Sequence, residues 1–217
     1  MKINDLSKTN SIIGNFITEL RDVNIQQDPM RFRKNLERLG WIFAYEVSKK
    51  LNYEEMTVET PLGETEMPLL SDKLVLATIL RAGLPFHQGF LDIFDNAENA
   101  FISAYRKYDE EGTFEIFNGY LTSPSLDGKI LIITDIMLAT AASLIVAHKA
   151  LKEYGKPDQI HIAAVIASVE GIDALKTYFG NKPVTLWVSA IDEELSAKGY
   201  IVPGLGDAGD LAYGGKL

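Results

Sequence analysis

The chain has 217 residues, of which 47% are hydrophobic and 24% are charged, a composition typical of one folded domain with a substantial core. Lys and Arg number 21 against 30 Asp and Glu, and the net charge of −9 argues against nucleic acid and anionic membranes as partners. Cysteine is absent, which excludes disulfides and thiolate metal sites, and no apolar run approaches the roughly 18 residues that span a bilayer.

The first part of the chain predicts one long amphipathic helix. It is preceded by the segment MKINDLSKTN, which lacks the apolar core of a signal peptide, so we expect a cytoplasmic protein. Asp28 is a suitable N-cap and Pro29 suits the first helical position. Apolar residues then recur at spacings of three and four, which indicates a face that packs on a core: Phe32, Leu36, Leu39, Phe43 and Val47.

From Leu74 onward, apolar segments of strand length alternate with helical patterns. The segments LVLATIL, AFISAY, KILIIT, IHIAAVIAS and PVTLWVSAI lack polar alternation, which is typical of parallel strands covered on both faces. Helices are predicted in AASLIVAHKALKEYG and near GIDALKTYFG. This order predicts a single α/β domain over residues 1–217, with a central, mostly parallel sheet flanked by helices.

Two later stretches interrupt this alternation. KYDEEGTFEIFNGYLTSPSLDGK is polar and rich in turn residues, and it is either a hairpin or a long loop of the kind that often acts as a lid. The C-terminal YIVPGLGDAGDLAYGGKL holds five glycines in 18 residues, a density that predicts irregular backbone. A calcium loop is disfavoured there, because no run of alternating oxygen ligands continues.

One candidate site follows the strand ILIIT. Asp135 lies at the end of that strand, and ligands of parallel sheets bind beyond the carboxyl ends of the strands. A helix is predicted to begin near Ala142, where free N–H groups favour an anion. Thr140 and Ser143 offer hydroxyls to a phosphate, or Thr140 caps an ordinary strand–turn–helix, and the loop alone supports both interpretations equally.

Charged residues follow two further strands and a glycine-rich segment. Arg81 in TILRAGL and Arg106 in SAYRK suit a pyrophosphate, and a structural ion pair or a solvated charge is the alternative. Asp207 in PGLGDAGD lies among small residues, where a flat ligand could rest against the main chain, and a simple glycine-rich turn is the alternative. The three histidines are not spaced as a metal site, and a structural or solvated role is expected for them: His87, His148 and His161.

These residues resemble those of the uracil phosphoribosyltransferases, members of the type I phosphoribosyltransferase family. The resemblance runs from FRKNLERLGWIFAYEVSKKL through TILRAGL and AYRK to the last glycines. DIMLATAAS is similar to the family's phosphoribosyl-pyrophosphate loop, usually Asp-Pro-Met-Leu-Ala-Thr-Gly-Gly-Ser. YIVPGLGDAGD is similar, almost letter for letter, to its uracil-binding segment.

The resemblance implies a type I phosphoribosyltransferase-like fold with a smaller hood, built from the terminal segments, over the base site. It implies transfer of phosphoribose from phosphoribosyl pyrophosphate to N1 of uracil, which forms UMP and releases pyrophosphate. The implied cofactor is Mg²⁺, held mainly by the pyrophosphate and not by protein ligands. The implied partners are these small molecules and further copies of the chain, in a homodimer or a higher homo-oligomer.

The resemblance also implies roles for individual residues. Catalytic roles are implied for Asp135, Arg106 and Asp207, and residues 107–126 are the expected lid. Phosphoribosyl-pyrophosphate binding is implied for two arginines, one loop and a later aspartate: Arg81, Arg106, Asp135, Ile136, Met137, Leu138, Ala139, Thr140, Ala141, Ala142, Ser143 and Asp207. Uracil binding, largely through the main chain, is implied for four residues: Ile201, Gly206, Asp207 and Ala208.

Several positions depart from the family's pattern. Ile136 replaces a proline, and Ala141 and Ala142 replace two glycines. An alanine keeps its N–H group, so phosphate binding survives if φ is negative, and we predict helical angles at both alanines. Leu211 stands where the family has an arginine, and RAGLPFHQG lacks the usual glycine after RAGL. These changes leave open a nucleotide-sensing regulatory relative with little turnover, while the intact uracil segment disfavours a transferase for another base.

Overall fold

The computed structural model describes residues 1–108 and 114–215, with side chains for all of these except residues 104–108 and 114–118. The helices are α1 (Ile13–Arg21), α2 (Pro29–Ser48), α3 (Gly83–Ile93), α4 (Ala142–Leu151), α5 (Val169–Phe179) and α6 (Ala208–Tyr213). The strands are β1 (Lys2–Asp5), β2 (Tyr53–Thr60), β3 (Gly63–Leu70), β4 (Leu74–Leu80), β5 (Glu98–Tyr108), β6 (Phe114–Thr122), β7 (Ile130–Leu138), β8 (Gln159–Ser168), β9 (Val184–Val188), β10 (Ile191–Asp192), β11 (Glu194–Leu195) and β12 (Ile201–Val202).

The central sheet has the strand order β1-β9-β8-β7-β4-β5-β6, and β10 also pairs with β8. Every pairing in it is parallel except that of β5 with β6. This confirms the predicted α/β class with a mostly parallel sheet. Of the two alternatives for residues 107–126, the hairpin is the one observed, because β6 runs antiparallel to β5. Residues 109–113, in the middle of the expected lid, lie outside the described residues.

Helix α2 confirms its predicted pattern and packs on one face of the sheet. Asp28 caps it by accepting hydrogen bonds from the N–H groups of Met30 and Arg31. Its five predicted core residues are all at most 1% exposed. Helix α3 crosses it so closely that a Cβ on Gly40 would lie 2.8 Å from the Cα of Gly89. This contact holds α3 in place, and with it the loop that follows β4.

The opposite face of the sheet is covered by α4 and α5. Their buried residues form a second apolar cluster with residues of β4, β5, β7 and β8: among them are Leu144, Ala147, Leu151, Leu175 and Phe179. The carboxyl ends of the parallel strands β4, β7 and β8 therefore lie along one edge between the two helical layers. Among the described residues, no helix combines the length and the apolar character that a membrane span requires.

All three histidines are buried, and two of them have strongly lowered pKa values. His161 is fully buried and accepts a hydrogen bond at Nδ1 from Trp187 Nε1 at 3.1 Å, and its burial lowers its pKa to about 4. His148 lies 2.8 Å from the Tyr178 hydroxyl through Nδ1, and burial again lowers its pKa to about 4. These contacts agree with the expected structural role of the histidines.

Acid should therefore destabilise the fold through these histidines. Between the ordinary pKa of 6.5 and the folded value near 4, the unfolded chain binds more protons, so stability falls as the pH drops through this window. Each histidine contributes a slope of about 1.4 kcal/mol per pH unit. His161→Gln should reduce the slope of the unfolding free energy, measured by urea denaturation between pH 5 and 6.5. The exposed Lys2→Gln is the control, and an equal slope in His161→Gln and Lys2→Gln would contradict the assignment.

Candidate active site

The loop between β7 and α4 lies at the carboxyl edge of the sheet, as predicted, but Asp135 lies within β7, which continues to Leu138, and not at the end of the strand. Asp135 pairs with Ala164 of β8, and its Oδ1 accepts a hydrogen bond from the N–H of Ile136 at 2.8 Å. Burial raises the pKa of Asp135 to about 7, although hydrogen bonds from the N–H groups of Ile136 and Met137 act in the opposite direction. The carboxyl group therefore titrates near neutral pH, and within the described side chains no cation is paired with it.

The start of α5 braces this loop. Ser168 Oγ donates to the carbonyl oxygen of Ala139 at 2.6 Å and accepts from the N–H of Gly171 at 2.9 Å. A Cβ on Gly171 would overlap the carbonyl oxygens of Leu138 and Ala139, so only glycine fits there. The backbone of residues 138–141 is therefore held by the neighbouring strand and helix, and not by local preference alone.

The predicted helical angles are wrong at Ala141 and confirmed at Ala142. Ala141 has φ +61° and ψ +1°, in the left-handed region, while Ala142 is the first residue of α4. A left-handed alanine costs roughly 1–2 kcal/mol. Its methyl group is buried, with 4% exposure, in the same apolar cluster as Leu144, and this burial stabilises the fold by about 0.8 kcal/mol. Thr140 Oγ1 accepts from the N–H of Ala142 at 3.4 Å, but the N-cap position of α4 is Ala141, which makes no side-chain capping hydrogen bond, so the capping alternative for Thr140 is wrong.

Replacing Ala141 with glycine should leave stability nearly unchanged. The substitution relieves the left-handed strain, but it removes a buried methyl group and makes the unfolded chain more flexible. We expect the unfolding free energy to change by less than about 1 kcal/mol. Ala147→Gly, in the interior of α4, the helix that follows Ala141, should destabilise the protein by about 1 kcal/mol or more. Urea denaturation checks both variants, and a similar loss in the two would show that Ala141 is not strained.

Arg81 follows β4 and connects the sheet to the C-terminal helix. Its Nη2 lies 2.8 Å from Asp210 Oδ1, and its Nη1 donates to the carbonyl oxygen of Gly214 at 3.1 Å. The ion pair considered from the sequence is therefore present. A Cβ on Gly83 would lie 3.7 Å from the carbonyl oxygen of Thr134, the residue before Asp135. The start of α3, two residues after Arg81, thus lies close to the middle of β7.

The C-terminal segment contains a helix where irregular backbone was predicted. That prediction is wrong for α6, which begins after Asp207. Asp207 Oδ1 accepts a hydrogen bond from the N–H of Asp210 at 3.0 Å and caps the helix. An acidic residue at the cap and another three positions later is a capping signal, which the glycine content obscured. A Cβ on Gly209 would lie 3.2 Å from Asp207 Oδ1 and 3.4 Å from Arg81 Nη2, so both groups lie beside Gly209.

Arg81 and Asp207 thus lie near each other, beside Gly209. The other predicted site residues are placed as follows. A cleft of about 620 Å³ adjoins Asp207 and Gly206, and neither Arg81 nor Asp135 lines it. Gly206 has a φ of +89°, and Ile201 and Ala208 are buried. Arg106 lies in β5, beside β4, and its side chain is outside the described side chains.

Some residues of the site were not predicted from the sequence. Asp210 was missed as the partner of Arg81, and Ser168 as the brace of the loop. The ion pair of Arg21 with Asp192, which is partly buried and of which Arg21 lines the cleft, was also missed. The cap spacing before α6 was an available signal for Asp210. No local signal marks Arg21 or Asp192, because their pairing joins segments 171 residues apart.

Comparison with known proteins identifies the family. The family model for uracil phosphoribosyltransferase matches residues 7–215. A uracil phosphoribosyltransferase from Porphyromonas gingivalis is 52% identical over all of both chains. One from Pyrococcus furiosus is 40% identical over 93% of this chain and 86% of its own. The AQ2163 protein from Aquifex aeolicus has a similar structure, with a TM-score of 0.85, 35% identity and 98% of each chain covered. The chain belongs to the uracil phosphoribosyltransferase family.

Proposed function

We propose that this protein transfers phosphoribose from 5-phosphoribosyl 1-pyrophosphate to N1 of uracil, forming UMP and pyrophosphate. Membership of the uracil phosphoribosyltransferase family supports this reaction. The structural observation that supports it most is that Arg81 and Asp207 both lie beside Gly209, with Arg81 on the turn that follows β4 in the central sheet. The sugar donor needs a cation for its pyrophosphate and a carboxylate for its sugar, and the flat base needs main-chain groups. These three kinds of group must therefore lie close together. The proposal places this reaction in one cytoplasmic domain over residues 1–217.

Arg81 is proposed to stabilise the leaving group. Its guanidinium already holds two oxygen atoms, one from Asp210 and one from Gly214. Oxygens of a pyrophosphate suit the same donors and would replace Asp210 as their partner. Negative charge grows on the pyrophosphate as its bond to the anomeric carbon breaks, so a fixed guanidinium acts where that charge develops. Arg106, at the neighbouring strand, is proposed for the same role.

The β7–α4 loop is proposed to hold the sugar and its 5′-phosphate. Asp135 would accept hydrogen bonds from the ribose hydroxyls and face the positive charge that develops on the ring. Residues 135–143 would bind the ribose and its 5′-phosphate, with the backbone from Ala139 onward holding the phosphate through the free N–H groups at the start of α4. The base would lie against the main chain of Ile201, Gly206, Asp207 and Ala208. A lid at residues 107–126 is proposed to exclude water, which would otherwise compete with uracil for the sugar.

Mg²⁺ fits these donors as a cofactor that the substrate carries. Mg²⁺ prefers oxygen ligands and usually binds through one or two carboxylates together with substrate phosphates. Here the pyrophosphate would supply most of the ligands, because Asp135 is proposed to bind the ribose hydroxyls. Bound to the pyrophosphate, Mg²⁺ would neutralise charge on the leaving group. Within the described residues, no group of three or more His, Asp or Glu side chains is placed to hold a metal ion.

An assay with labelled phosphoribosyl pyrophosphate, Mg²⁺ and each base tests the reaction. We expect UMP from uracil and no nucleotide from the other bases. Asp135→Asn should lower kcat/KM by about 10²–10³, because a group aimed at developing charge is lost. Asp173→Asn, on the exposed face of α5, is the matched control and should keep full activity. Tight ligand binding without UMP would favour the nucleotide-sensing alternative, and an unchanged rate in Asp135→Asn would remove this residue from the site.

The pH dependence should report Asp135 directly. Its ionised form is the one that binds the sugar, so kcat/KM for phosphoribosyl pyrophosphate should rise with pH through about 7 in the free enzyme. Because the folded pKa lies above its ordinary value, the folded protein binds the proton more tightly, and stability falls as the pH rises from 3.8 to about 7. Asp135→Asn should therefore abolish the inflection and raise the melting temperature at pH 8. A wild-type profile that is flat around pH 7 would contradict the assignment.

The hairpin of β2 and β3 is proposed as a contact between copies of the chain. Every residue of the two strands is exposed except Val58, which is half-buried. Strand alternation puts Met56, Met67 and Leu69 on one face, where Met56 lies opposite Met67. An isolated two-stranded hairpin is marginally stable in water, so an apolar face on it suggests a covering partner. A homodimer, or a higher homo-oligomer, would supply that partner.

The oligomer proposal is tested by charging the apolar face of the hairpin. Met56→Lys with Met67→Lys should shift the protein to monomer in sedimentation velocity, because two lysines would have to be buried at the contact. Thr57→Lys with Glu55→Gln adds the same charge on the opposite face and should leave the assembly intact. Monomeric wild-type protein, or equal dissociation in both double variants, would contradict a contact through this face.

A further inference from the structure

We propose that Arg21 and Asp192 are a positioning pair that fixes the uracil-binding segment. This inference deepens the proposed function and rests on it. Neither side chain is placed against the substrates by the arguments above. Their role is to hold the backbone of residues 201–208 so that its N–H and C=O groups stand ready for a flat base.

The pair is a partly buried, two-point contact between distant parts of the chain. Arg21 is the last residue of α1, and Asp192 is the last residue of β10. Arg21 Nη1 lies 2.9 Å from Asp192 Oδ2, and Nη2 lies 2.9 Å from Oδ1. Asp192 is only 8% exposed, so its carboxylate depends on this partner for much of its solvation. Such a parallel contact fixes the direction of both groups as well as their separation.

The same two side chains also hold both backbone polar groups of Gly204. Arg21 Nη1 donates to the carbonyl oxygen of Gly204 at 3.1 Å, and the N–H of Gly204 donates to Asp192 Oδ2 at 3.1 Å. Gly204 has a φ of +58°, and a Cβ there would overlap the carbonyl oxygen of Ile201. The turn is thus tightly folded on itself and is held from outside at its central residue.

The position of this turn explains why the pair matters for uracil. Gly204 lies between Ile201 on one side and Gly206 to Ala208 on the other, which are the positions proposed to read the base. A base that is read by main-chain groups is recognised through their placement, and a displacement of about 1 Å at a site can cost 10²-fold in rate. Arg21, Gly206 and Asp207 also line the same cleft. Because Arg21 is hydrogen-bonded to Gly204, a displacement of Arg21 would displace the backbone of residues 201–208.

Steady-state kinetics separates positioning from general stability. Arg21→Gln and Asp192→Asn should each raise KM for uracil by about 10- to 100-fold, while KM for phosphoribosyl pyrophosphate stays within a factor of about 3. The double variant should cost little more than either single one, because the two residues act as a unit. Arg21→Lys keeps the charge but loses the two-point geometry, and it should give an intermediate KM for uracil.

A matched control is the ion pair that joins α1 to α2. Arg31 of α2 forms an exposed ion pair with Glu19 of α1 at 3.2 Å, so Arg31→Gln removes a similar contact away from the segment. It should leave both KM values unchanged. An unchanged KM for uracil in Arg21→Gln or Asp192→Asn would overturn the inference. The inference would also be overturned if kcat and both KM values changed by the same factor in these variants while the melting temperature fell, because that result would indicate a structural role only.

Hydrogen exchange tests the pair without relying on turnover. In the ligand-free protein, amides of residues 201–208 should exchange at least about 10-fold faster in Arg21→Gln and Asp192→Asn, with α2 unaffected. If the wild type forms no UMP, the proposed function fails, and the exchange result still decides whether the pair holds the segment. If the wild type is active and these amides exchange at wild-type rates in both variants, the inference alone fails. Arg21→Lys serves in both measurements should the other variants not fold.

Discussion

The contact between Arg81 and the C-terminal helix is the interaction on which the site depends. It joins residues 129 positions apart and brings α6 to the carboxyl edge of the sheet. It acts together with the hydrogen bond from Arg33 to the carbonyl oxygen of Ala212 and with the burial of Ala208 and Ala212 in the core, which also attach α6 to the rest of the fold. Because the partner of Arg81 is a carboxylate, the contact is also one that an anionic substrate can replace.

Arginines from three different elements hold the C-terminal segment of this acidic protein. The net charge is −9, yet three guanidinium groups hold the C-terminal segment. Arg21 holds Gly204, Arg33 donates to the carbonyl oxygen of Ala212 at 2.7 Å, and Arg81 holds Asp210. Each comes from a different element, namely α1, α2 and the end of β4. An anionic substrate therefore meets its counter-charges only where the fold has gathered them.

The same region also carries several energetically unfavourable groups. Asp135 is buried enough to raise its pKa to about 7, and Ala141 is left-handed. Arg81 Nε is buried and has no hydrogen-bond partner among the described residues. Strain and unpaired polar groups persist only where the surrounding structure compels them, and they cluster at functional sites. The brace from Ser168 and the packing of α3 on α2 are the parts of the fold that compel them here.

The sequence by itself determined the elements whose signals are local. Helix α2, with its cap and its periodic core face, was predicted because spacing and capping involve only neighbouring residues. The apolar strands and the placement of Asp135 before α4 were predicted for the same reason. The family's two motifs are contiguous, so they too could be read directly along the chain.

Only the tertiary structure decided the rest. The left-handed backbone angles of Ala141 are set by the path of the chain from β7 to α4, in a loop that Ser168 holds in place. The neighbouring residues in the sequence do not reveal these angles. The partners Asp210 and Asp192 lie 129 and 171 residues from the arginines they bind. Such pairings arise when folding brings distant surfaces together, and the free energy that selects them is not encoded in any short window of sequence.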